Sequence, residues 1–350
     1  MTTTGGSAVP AVVRLLVGAV AASAVLTWLG APSAVLFGSL LAAMVHALWS
    51  ARSLEVPPLP FRVAQALIGA VIGTQISGPA VRRMVDDAPV LVLVTVVTVG
   101  FSVVAGLLLA RRRDVSAVTG VYSLIAGGAS GVVAVARELG ADDRVVTVVQ
   151  FLRVVIVLIS LPLVTAAVFH PPAGRGSLDL GGAGAWHDLG YTAAAVVGGL
   201  VLARLVPITT MALLGPLAVG AVVAATGVVG DVVVPTPLQW LAFGGIGLQV
   251  GLRFTRDSLA SIARMLPAVL ALILLLMVVT GALAAALARF TSVDGLTAYL
   301  ATTPGGLFAV LATAVDGGAD VTYVMALQLF RLVVVLALVP LLARWLRPRP

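Results

Sequence analysis

Arg153 and Arg331 each stand about nine residues into a long apolar stretch, and each has a glutamine three positions earlier, Gln150 and Gln328. Nine residues of helix rise about 13 Å, which is close to the centre of a bilayer. A guanidinium at that depth costs at least about 2.5 kcal/mol if it faces lipid, so it must point into protein or into a wet cavity. The glutamine shares its face of the helix. A fixed fork of N–H donors with a permanent charge suits two tasks: holding a carboxylate or phosphate, and tying down carbonyls left open where a helix breaks.

A break stands upstream of each arginine. Gly127-Gly128 precedes Arg153 and Gly305-Gly306 precedes Arg331; Ser130 lies just after the first pair, Thr302 and Thr303 just before the second. A helix interrupted at mid-membrane presents amide N–H groups and a positive dipole end, which is a ready anion site. The hydroxyls either line a polar cavity there or bond their own helix. The candidate substrate-binding residues are therefore Arg153, Arg331, Gln150, Gln328, Gly127, Gly128, Ser130, Thr302, Thr303, Gly305 and Gly306.

Other chemistries are excluded or disfavoured. There is no cysteine, hence no disulfide and no thiolate site; the histidines are His46, His170 and His187, too few and too scattered for a metal cluster. The carboxylates stand at segment ends or in loops, which argues against a mid-membrane proton relay, while Na⁺ held by broken-helix carbonyls stays open. No catalytic residue, metal or cofactor is assigned, and the expectation is that the protein is not an enzyme. Gln65, Gln75, Gln249 and His46 are secondary candidates for a polar lining. The net charge of +7 comes from arginine alone, placed singly or in short clusters at the ends of apolar runs rather than along a basic stripe, so no nucleic-acid partner is expected.

The elements that must position these residues are membrane helices. Sixty per cent of residues are hydrophobic and 10% charged, and apolar runs of about twenty recur throughout. Helices are predicted at about 10–29, 32–50, 60–77 and 88–110, a broken one at 115–138, and another at 145–169. After a Pro/Gly-rich linker the series repeats at about 187–206, 208–227, 237–254 and 265–288, with a broken one at 294–315 and a last helix at 321–346. The first run lacks a basic n-region and is expected to be a retained helix. The domain reading is thus a first membrane repeat, 1–169, a linker, 170–186, and a second membrane repeat, 187–350.

The duplication can be checked position by position. At an offset of 178, Pro57 falls on Pro235, Gly69 on Gly247, Gly73 on Gly251, Pro89 on Pro267, Gly140-Ala141-Asp142 on Gly318-Ala319-Asp320, and Pro162 on Pro340, besides the glycine, glutamine and arginine pairs above. If all twelve segments span, the flanking arginines divide 10 to 8 between the two sides. If 115–138 and 294–315 dip in and return, about 10 helices span, the halves are inverted, and the division becomes 14 to 4. The positive-inside rule favours the second arrangement, with both termini cytoplasmic and the protein multi-pass in the inner membrane.

The opening Phe37-Gly38-Ser39-Leu40, the short helix with Ile68-Gly69 and Gly73, the glycine-pair segment, Glu138-x-Gly140-Ala141-Asp142 and Gln150-x-x-Arg153, each with its counterpart in the second half, resemble the AbrB family of bacterial integral membrane proteins over nearly the whole chain. The resemblance implies a role as a regulator of gene expression acting indirectly, or, by older labels, an ammonia monooxygenase; it supplies no site residues. The residues themselves point to a transporter or exporter-like protein for a small anionic solute, with the membrane regulator or sensor as the alternative. The partners expected are the lipid bilayer and the solute, and a homo-oligomer is compatible with the sequence.

Overall fold

The computed structural model describes residues 9–31, 33–50, 54–76, 82, 85–112, 115–125, 136, 140–169, 185–206, 211–225, 232–253 and 263–346. Gly127, Gly128, Ser130, His170 and nearly all of the 170–186 linker lie outside them. Among the described residues there are thirteen α-helices and no strand. They are α1 (Val9–Trp28), α2 (Ala34–Trp49), α3 (Pro58–Gly73), α4 (Ala88–Leu109), α5 (Ala117–Leu124), α6 (Asp143–Val164) running into a π-helical turn (Thr165–Phe169), α7 (Ala185–Leu205), α8 (Met211–Ala225), α9 (Thr236–Gly251), α10 (Leu266–Phe290), α11 (Gly295–Thr302), α12 (Leu307–Gly317) and α13 (Val321–Leu346).

Five of them, α1, α4, α6 with its π turn, α7 and α10, are long and apolar enough to cross a membrane. Of the others expected to span in the middle of each half, α2, α3 and α9 have only 16 residues each. That is roughly 24 Å of rise against a hydrocarbon core of about 30 Å. The paired prolines begin helices: Pro57 and Pro235 are the N-caps of α3 and α9, and α4 and α10 carry proline in their first two positions. There the missing N–H is one that no helix would satisfy, and the fixed φ suits the first turn.

The chain folds into two compact units, and each draws a part from before the linker and a part from after it. One comprises Met1–Gln75 and Ala173–Arg256, the other Ile76–Pro172 and Asp257–Pro350.

The first unit is held by glycines that let backbones touch. A Cβ at Gly69 of α3 would overlap the carbonyl oxygen of Leu213 in α8, and one at Gly73 would come within 3.0 Å of the Ala221 nitrogen. The matching pair on α9 does the same to α2: Gly247 lies on the carbonyl of Leu36 and Gly251 on that of Leu40. Between helices in lipid there is no hydrophobic drive, so close backbone approach at small residues supplies the packing. Tyr191 of α7 adds a donor from its Oη to the Ala70 carbonyl at 2.9 Å.

The second unit carries the broken segments. An apolar cluster that includes Leu109, Leu124, Val149, Leu152, Val269 and Ile273 joins α4, α5, α6 and α10. Asp294 caps α11 by accepting from the Thr297 nitrogen at 2.9 Å, and α12 ends at Gly318 in the left-handed region, φ 71°, with the Ala319 nitrogen donating to the Ala314 carbonyl at 3.0 Å. Asp320 then caps α13, accepting from the Tyr323 nitrogen at 3.1 Å, while its own nitrogen donates to the Thr297 hydroxyl at 2.8 Å. That last bond joins the end of the broken segment to its beginning. The first half does likewise: Ser116 caps α5, Asp142 caps α6, and the Asp142 nitrogen donates to the Thr119 hydroxyl at 3.0 Å.

Because Gly247 lies against a backbone oxygen that cannot move aside, Gly247→Ala should lower the melting temperature of the detergent-solubilised protein clearly. Gly190→Ala on α7, where a Cβ meets nothing within 4 Å, should leave it unchanged or raised slightly. Differential scanning fluorimetry of the two variants checks this.

Candidate functional site

A short helix ending inside an apolar medium leaves its last carbonyls without partners. In α5 those are the carbonyls of Tyr122 and Leu124, with Ile125 just beyond. Gln150 of α6 donates from Nε2 to the Tyr122 and Ile125 carbonyls at 2.8 and 3.0 Å. Arg153 donates from Nη1 to the Leu124 carbonyl at 3.0 Å and from Nη2 to the Gln150 Oε1 at 2.8 Å. The arginine thus fixes the glutamine amide with its oxygen toward the guanidinium and its nitrogen toward the carbonyls. Its positive charge also lies at the negative end of the helix dipole.

The second half repeats the arrangement 178 residues on. Gln328 donates from Nε2 to the carbonyls of Leu300, Ala301 and Thr303 at 3.0, 3.2 and 3.1 Å. Arg331 donates from Nη1 to the Thr302 and Thr303 carbonyls at 3.4 and 3.0 Å, and from Nη2 to the Gln328 Oε1 at 2.5 Å. Arg153 is 3% exposed and Arg331 7%.

The tip between α11 and α12 faces Arg153. A Cβ on Gly305 would lie 3.7 Å from the Arg153 Nε and 3.8 Å from the Val154 Cγ2, and one on Gly306 would lie 3.1 Å from the Leu158 Cδ2. Gly306 caps α12 in the left-handed region, φ 73°, so it offers no side chain to the helix's first N–H groups, whereas α11 has the Asp294 carboxylate for that purpose. The Arg153 Nε is buried and has no hydrogen-bond partner among the described residues. An uncapped helix start and an unspent, charged N–H donor therefore share one place.

The electrostatic balance is unusual. Among the described residues, every oxygen that the two guanidinium groups bond is a neutral carbonyl or amide oxygen. The two arginines also serve one tip: Arg331 holds the Thr303 carbonyl, and Arg153 lies beside Gly305 two residues on. Buried charges in proteins are normally paired, since an uncompensated one is expensive.

The AbrB family, described as Transition state regulatory protein AbrB, matches residues 35–347. Over 330 residues the chain is 33% identical to a protein of Escherichia coli (strain K12) that bears the name "Putative regulator AbrB", a match covering 90% of each chain. The chain belongs to the AbrB family. It is also 22% identical over 295 residues to "Uncharacterized protein YhjN" of Bacillus subtilis (strain 168), covering 79% of this chain and 76% of that one. With its long apolar helices, this AbrB-family chain is a multi-pass membrane protein.

Of the residues singled out from the AbrB-family sequence, Arg153, Gly305 and Gly306 meet around the second tip, Gln150 stands beside Arg153 at the end of α5, and Arg331 with Gln328 ties the carbonyls that lead into the tip. Thr302 donates from its hydroxyl to the Thr280 carbonyl of α10 at 3.1 Å and to two carbonyls of its own helix, and Thr303 to the Tyr299 carbonyl at 2.7 Å. Both threonine hydroxyls are therefore spent on backbone. Gln65, Gln75, Gln249 and His46 belong to the other unit. Leu158 and Val154, which floor the tip, had no polar signal to mark them. Ser116 with Thr119 and Asp294 with Thr297 did, a hydroxyl or carboxylate three residues before a threonine at the same offset of 178.

Gln328→Leu would strip donors from three carbonyls and leave the Arg331 Nη2 without its acceptor. Chemical unfolding in detergent should show a loss of about 1–3 kcal/mol, whereas Gln249→Leu, for which no hydrogen bond is recorded, should change little.

Proposed function

We propose that this protein is a non-enzymatic carrier or exporter for a small anionic solute, and that the solute binds between the Arg153 Nε–H and the uncapped start of α12. The observation that carries this reading is the buried pair Arg153 and Arg331, whose recorded partners are all neutral. An anion at the tip supplies the missing charge, accepts the unspent Nε–H and meets the free amides of α12 at once. No such gain is open to a cation, because the Gln–Arg pairs already fill the carbonyl ends of α5 and α11.

The same reading takes the two halves as an inverted duplication in which each broken segment enters the membrane and returns to the side it left. Two observations support it: the hydrogen bonds from the Asp142 and Asp320 nitrogens back to Thr119 and Thr297, and the recurrence in the second half of each Gln–Arg tie made in the first. A spanning segment would separate those ends by about 30 Å. The arginine distribution then puts both termini in the cytoplasm, with the protein in the inner membrane. The name of the Escherichia coli relative favours a second reading, in which the bound anion is sensed and gene expression responds indirectly.

Calorimetry on purified protein with inorganic phosphate, acetate and succinate tests the site. At least one anion should bind wild-type protein, and Arg153→Gln should weaken it about 10- to 100-fold, the effect of losing one hydrogen bond to a charged group. Arg153→Lys should fall between, since it keeps the charge but loses the fork. Unchanged affinity in a well-folded Arg153→Gln would remove the anion site.

The topology has its own test, since the natural chain has no cysteine. Single cysteines at Ser292 and Ala319, at the two ends of the second broken segment, should react with an impermeant maleimide from one and the same side. Labelling from opposite sides would make the segment a span.

A further inference from the structure

A groove of about 610 Å³ runs between α1 and α2 in the first unit, away from the arginine pair in sequence and in unit. Its floor is small and apolar, with Gly18 and Ala22 of α1 facing Ala42 and Val45 of α2; a Cβ on Gly18 would meet the Ala42 Cβ at 3.7 Å. Its other end is polar and cationic. Arg14, His46, Trp49 and Ser50 converge there, close to the start of α1 and at the finish of α2.

Arg14 and Trp49 are left facing outward by the fold. Arg14 is the one charged residue of α1 and is exposed, and it has no hydrogen bond or ion pair among the described residues, whereas Ser23 and Thr27 bond carbonyls of their own helix. The His46 Nε2 is buried and has no hydrogen-bond partner among the described residues. Trp49 is 75% exposed at the end of its helix, where tryptophan marks the membrane–water boundary. An apolar trough about 12 Å long, at the usual rise over eight residues, that ends in a guanidinium, an imidazole and an indole is itself amphipathic.

We infer that this groove is a binding site for an anionic phospholipid from the surrounding bilayer, one acyl chain lying over Gly18 and Ala22 and the phosphate meeting Arg14. Charge complementarity selects the headgroup: a neutral lipid would fill the trough equally well but leave Arg14 uncompensated. The depth supports it too. Arg14 is the sixth residue of α1, about 8 Å from its start, within snorkelling reach of the phosphate level.

Native mass spectrometry of the full-length protein, titrated with phosphatidylglycerol and with phosphatidylcholine of identical chains, tests the assignment. Phosphatidylglycerol should be retained about fivefold better, the value of one arginine at a membrane surface. Arg14→Gln should abolish that preference, and Arg204→Gln, an exposed arginine outside the groove, should keep it. Ala42→Leu, which fills the trough without touching the charge, should lower retention of both lipids. Melting curves must first show each variant folded. Equal retention of the two lipids by wild-type protein, or an equal loss in Arg204→Gln, would overturn the assignment. Binding of sn-glycerol phosphate as tight as that of phosphatidylglycerol would overturn it as well, because the site would then hold a soluble anion.

Discussion

A helix end cannot be left bare in hydrocarbon, and the second unit is built around two that would be. The last carbonyls of α5 and α11 need donors, water is not there to supply them, and each end is instead closed by a glutamine and an arginine from another helix. Other features follow from that requirement. The donors must come from a helix passing close by, so α6 and α13 carry them three residues apart on one face. The guanidinium must be rigid to serve two acceptors, so its Nη2 is clamped by the glutamine it orients. The cost is a pair of positive charges buried among neutral oxygens, and the proposed anion site rests on it.

The two halves agree at these ends and differ elsewhere, which separates what the fold needs from what each half does with it. Tyr323 donates from its Oη to the Asp87 Oδ2 at 3.2 Å, a polar link between the starts of α13 and α4. The positions 178 residues away, Val145 and Met265, are instead members of one apolar cluster. The Gln–Arg ties, the capping residues and the glycine contacts are kept in both halves; the lining around them is not.

Much of this was legible in the sequence because the costly residues are the informative ones. Arginine, glutamine and paired glycines inside apolar runs are rare, and finding them twice at one offset pointed to the tips and to the helices that serve them. The capping motifs were equally visible at Ser116, Thr119, Asp294 and Thr297, though they draw less attention in loops. What the sequence withheld was partnership. Nothing in the spacing of Gly305 says that it will lie beside Arg153 rather than Arg331, and nothing in Val154 or Leu158 marks them as the floor of the tip, since apolar residues in a chain that is 60% hydrophobic carry almost no positional signal. Helix length was also blurred. No proline marks the turns after α3 and α9, Thr74-Gln75 and Leu252-Arg253, so the sequence suggests helices to 77 and 254 where α3 ends at Gly73 and α9 at Gly251.

The glycine contacts of the first unit set an order for biosynthesis. Gly69 on α3 packs against Leu213 on α8, which is synthesised 144 residues later. At the usual pace of translation that interval is about 7–30 s. Throughout it α3 stands in the translocation machinery with its glycine face unmatched, and α2 waits in the same way for α9. Folding of this unit cannot proceed helix by helix as the chain emerges. Its close backbone contacts form only once the second pair of helices has arrived to meet the first.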